Sequence, residues 1–328
     1  MSTKTTACLV SAIIVLAVAL QHGLATDSPT TTSRITLTLG FHPNVVVDLP
    51  LIRAVENGDF ARQGFDVRFK PYGRPDLILA ALKSGEIQGS LGISLELLLK
   101  QASSGSYPAR GYLVWCLNAT QGFDGFVTRA DFSGRDVNAL QGKAIGVYPS
   151  PQLQFFVSRI LPNCTIKTYN PDVPFIGLNT GDVVAVFVKE PFISIARTKP
   201  DKYRVLEVNS ISQHVFGGAL VPAALSVLSS EWIEAHPKEA AKFVRLARQA
   251  YLEYITKPDI NMVLTEPRLG GFTPEIAAQV VEPAASFPEA LSRADLRRYA
   301  TLLEAGGLIS TNLSFDKLLY VPPVIEMP

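Results

Sequence analysis

Several polar or aromatic side chains lie just past strand-like apolar runs, where an open α/β sheet meets its ligand. His42 and Asn44 follow the first such run and could hydrogen-bond a ligand's oxygen atoms; Phe41 could pack on a ligand or plug the core. Ser94 ends a Gly-rich run, so it could meet a ligand or cap the helix beginning at Leu95. Asp124 precedes Gly125 and could accept from an amine or simply shape a turn. Tyr148, Ser150 and Gln152 surround a strand exit. Glu190 ends another strand, where it could bind a cationic or N–H-rich group or pair with Lys189 or Arg197. If Lys189 faces the same space, an anionic ligand gains support. Other chemistries find no pattern: His22, His42, His214 and His236 are scattered, and neither a Gly-x-Ser-x-Gly elbow nor a P-loop occurs. No catalytic residue, metal site or cofactor is expected. Trp115 and Trp232 are expected to pack rather than to serve as ligand platforms.

These residues need elements to hold them, and Leu140–Phe156 shows how. After Gly142 and Lys143, the run Ala144–Val147 is short, apolar and bounded by turns, so it predicts a buried strand. Tyr148–Pro151 breaks it. Helical spacing then puts Leu153, Phe156 and Val157 on one face, with Ser150 as N-cap and Pro151 at the first helical position. Free backbone N–H groups at such a helix start suit an anionic or polar ligand.

The 328 residues suggest about two domains. Hydrophobic residues make up 47% and charged ones 18%, which argues against disorder. Net charge is +1 with no basic run, so no nucleic-acid partner is expected. Residues 1–25 resemble a signal peptide: Lys4, an apolar run Ala7–Leu20, and small residues at Gly23 and Ala25, with cleavage after Ala25. A flexible tail at 26–33 follows. The mature chain is expected to be periplasmic or secreted. Cys116 and Cys164 remain after cleavage and are expected to stand apart. Asn118, Asn163 and Asn312 begin glycosylation-acceptor triplets, relevant only in a eukaryote.

Strands are expected at 35–39, 65–69, 87–93, 112–117, 125–129, 144–147, 165–169, 183–188 and 205–208, and 219–228 leads back towards the first lobe. Helices are expected between them, including 76–83 with Leu77, Ala80 and Ala81 inward. The strand at 125–129 is a candidate for the crossing between lobes. From Ser229 the pattern is helical, with Phe243, Ala247, Tyr251 and Tyr254 forming a stripe. Alternation of strands and helices implies α/β units with parallel pairing. Ala81–Gly89 and Gly177–Ala185 echo one another: helix end, Gly, acid, apolar strand. Two lobes on one plan would produce this.

With these landmarks placed, the chain resembles the periplasmic substrate-binding proteins of ABC importers, in particular the nitrate, taurine and aliphatic-sulfonate binders and the thiamine-pyrimidine-precursor binders. The motifs are Pro50-Leu51 with Ala54, Glu56, Gly58 and Phe60; Gly64–Val67; Ala81-Leu82 with Gly85; Thr120, Gly122 and Asp124-Gly125; Leu140 with Gly142-Lys143; Gly181-Asp182; and Glu190-Pro191. Gln88 and Val184 stand where the family commonly has Asp, and Lys189 stands where it often has an aromatic residue. The resemblance implies a two-lobed, hinged α/β fold of the type II-like periplasmic-binding-protein kind, with a helical C-terminal part. Lobe 1 would hold 34–127 and 219–328, and lobe 2 128–218. It further implies a monomer that captures a small polar organic molecule or oxyanion and delivers it to an ABC permease. A secreted sensor or scaffold on the same fold is the alternative. A synthase of the thiamine-pyrimidine type is disfavoured because the chain has no cysteine cluster.

Overall fold

The computed structural model describes residues 34–43, 48–117, 120, 122–170, 173–257, 259–267, 272–279, 284–286, 293–310 and 313–323. Residues 1–33, where a signal peptide and tail are expected, and Asn44, Asn118 and Asn312 lie outside the described residues.

The strands are β1 (Ile35–Phe41), β2 (Phe65–Pro71), β3 (Gly89–Ser94), β4 (Ala109–Leu117), β5 (Asp124–Arg129), β6 (Ala144–Val147), β7 (Thr165–Thr168), β8 (Ala185–Lys189), β9 (Tyr203–Val208), β10 (Val221–Ser229) and β11 (Ala284–Ser286). The principal helices are α1 (Leu49–Glu56), α2 (Pro75–Lys83), α3 (Leu95–Ser103), α4 (Pro151–Ile160), α5 (Pro237–Thr256) and α6 (Arg293–Ala305). The strands form two sheets, ordered β11-β4-β10-β3-β1-β2 and β7-β6-β8-β5-β9. Each sheet with its helices forms one lobe.

Pairing is mixed, which corrects the expectation of parallel sheets. β1–β3, β6–β7 and β6–β8 are parallel, whereas β10 runs antiparallel to β3 and β4, and β5 antiparallel to β8 and β9. The reversed strands β5 and β10 enter their sheets straight from the other lobe. Among the described residues only the five-residue helical turn Ile211–Val215 lies between β9 and β10, and none lies between β4 and β5, which is too little for the crossover that parallel pairing needs. β5 pairs along its length within the second sheet, so the residue 127/128 boundary falls inside a strand of that sheet.

The echo between the lobes has a structural counterpart. Gly85 and Gly181 both take positive φ, 74° and 77°, at a helix end. The Gln88 N–H then donates to Thr38 O and the Val184 N–H to Ala144 O, each at 2.9 Å, which seats the following strand. In α2 the inward residues are Ile78, Leu79, Ala81 and Leu82, while Leu77 is 46% exposed and Ala80 is exposed too. Helical spacing groups 78 with 81 and 82, so 77 and 80 turn to the opposite side.

In the first lobe, Phe243 of α5 packs among Phe60, Phe65 and Tyr112 at ring separations of 5.2, 5.9 and 6.0 Å. Helix α6 joins the lobes. It packs on β10 and α3, and its Tyr299 stacks on Phe216 and meets Phe156 edge-on. Cys116 and Cys164 are unbridged. Among the described residues no helix is long and apolar enough to cross a membrane.

Candidate functional site

A cavity of about 360 Å³ opens where strand exits of the two lobes converge. The first lobe supplies His42, Asp48, Ser94 and Trp115, and the second supplies Tyr148, Ser150, Gln152, Lys189 and Glu190. Most of the remaining lining is apolar, including Ile93, Leu117, Phe123, Val147, Leu153, Tyr169 and Phe192.

Local sequence sets the second-lobe wall. β6 ends at Val147, and the Ser150 hydroxyl accepts the Leu153 N–H at 3.4 Å to cap α4, whose first residue is Pro151. This holds Tyr148 and Gln152 at the helix entrance. Gly146 also lines the cavity, and a Cβ there would stand 2.9 Å from Val186 Cγ1 and 3.1 Å from the Tyr169 ring, so the close packing of this wall needs glycine.

Of the residues singled out from sequence, His42, Ser94, Tyr148, Ser150, Gln152 and Glu190 line this one cavity. His42 Nδ1 lies 3.0 Å from Pro43 O. Ser94 donates to Gln152 Oε1 at 3.5 Å, and Gln152 Nε2 donates to the Tyr299 hydroxyl. Gln152 thus joins α4 to β3 and α6. Glu190 accepts the Ser194 N–H at 3.1 Å and its hydroxyl at 2.9 Å, which holds the start of the Phe192–Arg197 helix.

Phe41 and Asp124 are not part of the lining. Phe41 is 6% exposed and sits edge-on to Phe69 in the first lobe, as a core plug. Asp124 is 1% exposed and ties the two chain crossings together. Its Oδ1 accepts the Ile211 N–H at 3.1 Å and its carbonyl accepts the Asn209 N–H at 2.6 Å, while Asn209 Oδ1 takes the Gly122 N–H. Burial outweighs these hydrogen bonds and pushes the Asp124 carboxyl up to about 6. The turn reading of Asp124 therefore gives way to a tie between segments distant in sequence.

Three charged residues, Asp48, Lys189 and Glu190, stand in the lining. Lys189 is the register partner of Asp124 across β5 and β8, and burial draws its pKa down while Asp124 opposes the shift. Asp124 is the charge that acts on it. Asp48 precedes α1, and sequence reasoning passed over it because an acid at that place looks like a helix cap. Trp115 also lines the cavity, with its Nε1–H donated to Ser226 Oγ at 2.9 Å and its ring edge-on to Tyr251. Among the described residues no group of three or more His, Cys, Asp or Glu could hold a metal ion.

No protein-family model matches the chain, and no curated protein does. Solved structures do. The periplasmic aliphatic sulphonate binding protein SsuA from Escherichia coli aligns with a TM-score of 0.70 at 13% identity, over 90% of this chain and 95% of that one. The alkanesulfonate-binding protein SsuA from Xanthomonas axonopodis pv. citri, bound to MOPS, aligns at 0.66 and 19%, over 88% and 99%. A Candida albicans protein described as having the generic periplasmic binding protein fold aligns at 0.60 and 14%, over 86% and 93%. At these identities the likeness establishes the fold. The chain has the periplasmic-binding-protein fold.

Proposed function

We propose that this protein is an extracytoplasmic solute-binding protein that captures a small organic acid, of the sulfonate class, by closure of its two lobes. The observation that carries this is Lys189: an ammonium on the wall of a largely apolar cavity, drawn down by burial, whose neighbouring charge Asp124 is held by the Ile211 N–H. A desolvated cation that a carboxylate only partly offsets gains when a ligand's anion meets it. The volume of about 360 Å³ exceeds what a bare inorganic oxyanion such as nitrate fills and suits a small organic molecule whose carbon skeleton meets the apolar lining. Residues of both lobes line the cavity, so a ligand touching both would favour the closed state. The fold likeness supports delivery to an ABC permease and binding rather than catalysis, and the signal-like composition of residues 1–25 supports export.

A thermal-shift panel of nitrate, taurine, alkanesulfonates, an aminopyrimidine and polyamines tests the reading. Organic acids should stabilise the protein by about 2.7 kcal/mol at a hundred times their dissociation constant, and nitrate should not. Stabilisation by nitrate alone, or by no acid in the panel, would contradict it.

A further inference from the structure

Asp48 is the least explained group in the cavity. It is 3% exposed and lines the first-lobe wall. Its Oδ1 is buried with no hydrogen-bond partner, and its side chain makes no capping bond to α1. β3 leaves the approach open at Gly92, where a Cβ would stand 3.7 Å from Oδ1 and instead there is none. Burial holds the carboxyl well above the ordinary aspartate range. A buried acceptor without a partner costs free energy, and nothing in α1 requires this one. A partner arriving with the ligand would remove the cost.

We propose that Asp48 is a specificity residue that accepts from an amino group of the ligand, so that the ligand is amphoteric, with its amine at Asp48 and its acid at Lys189. This rests on the cleft-capture reading and narrows it. The two charged ends would be read by different lobes, so a ligand carrying both would couple them more strongly than one carrying either. A buried group left unpaired also rejects analogues that lack its partner, which is the strongest form of discrimination a polar site offers. The competing possibility is a protonated Asp48 that donates to an oxygen of the acid. The two differ in what an amide can replace.

Isothermal titration of the full chain with matched pairs distinguishes them: taurine against ethanesulfonate, homotaurine against propanesulfonate, and aminohexanoate against hexanoate. The wild type should bind the aminated member of at least one pair about tenfold more tightly or better. Asp48→Asn should remove that preference and leave the affinity for the amine-free acid within about threefold. Asp48→Ser gives a second variant should the amide disturb the loop. Equal affinities within every pair in the wild type would overturn the proposal, as would a preference that persists in both variants. Weaker binding of amine-free acids to Asp48→Ser than to Asp48→Asn, without an amine preference in the wild type, would establish the protonated donor instead. Failure of every acid to bind the folded wild type would remove the cleft-capture reading, and this inference with it.

Discussion

Lys189 and Asp124 face each other as register partners across β5 and β8, and of the two only the lysine lines the cavity. The aspartate is spent on the backbone of the returning crossing. One strand pair thus carries a charge for the ligand and a tie for the connection between the lobes.

The tie has a pH signature. Asp124 titrates at about 6 in the folded protein, against an ordinary value of 3.8 that the unfolded chain keeps. Between these values the native state holds a proton that the unfolded chain has lost. This group's contribution is therefore fully present below about 4 and is lost as pH rises to about 6, an effect on the order of 2–3 kcal/mol. Asp124→Asn should abolish that slope while keeping an acceptor for the Ile211 N–H. Urea unfolding from pH 4 to 7 would show the variant gaining on the wild type as pH rises. Parallel curves would place the titration elsewhere.

Gln152 is predicted to matter more for joining elements than Ser94. Its removal deprives the buried Tyr299 hydroxyl of a partner, whereas Ser94 contributes a single contact at 3.5 Å. Gln152→Ala should cost about 1–3 kcal/mol and Ser94→Ala less than about 1 kcal/mol. Denaturant midpoints measure both. Equal losses would mean that the α4–α6 contact is not the main one.

Gly125 tolerates no side chain. A Cβ there would stand 2.0 Å from the Glu207 carbonyl oxygen and 2.9 Å from Val208 Cα, both backbone atoms of β9. Gly125→Ala should separate β5 from β9 and cost more than about 3 kcal/mol, or remove soluble protein altogether. Gly73→Ala, with nothing within 4 Å, is the control and should lie within about 0.5 kcal/mol of wild type. A soluble Gly125→Ala protein with wild-type unfolding would show that the β5–β9 pairing yields.

What could be read from the residues was what neighbours in sequence decide. The β6 strand, the Ser150 cap, the Pro151 start of α4 and the paired glycine turns at Gly85 and Gly181 are all local, and they stand where spacing and cap chemistry put them. The inward face of α2 was misjudged because its apolar residues outnumber one stripe, and only packing chooses between Leu77 and Ile78. Strand direction was misjudged at β5 and β10, where the chain changes lobe. Asp48 and Asn209 were invisible for a related reason. Each looks like an ordinary cap or turn residue, and its significance comes from a wall or a crossing built by residues far away. Asn209 at φ 58° shows this well, since asparagine tolerates the left-handed region and nothing nearby announces a partner at Gly122.

The central claim is that an organic acid enters the cavity and meets Lys189. Trp115 lines that cavity, and the sequence contains two tryptophans, so Trp232→Phe leaves it as the sole reporter. Titration of that protein with hexanesulfonate should give a saturable change in Trp115 emission, and adding Lys189→Met should weaken the apparent affinity by about tenfold or more. A saturable change of equal affinity with and without the lysine, or no change at millimolar ligand, would contradict the account.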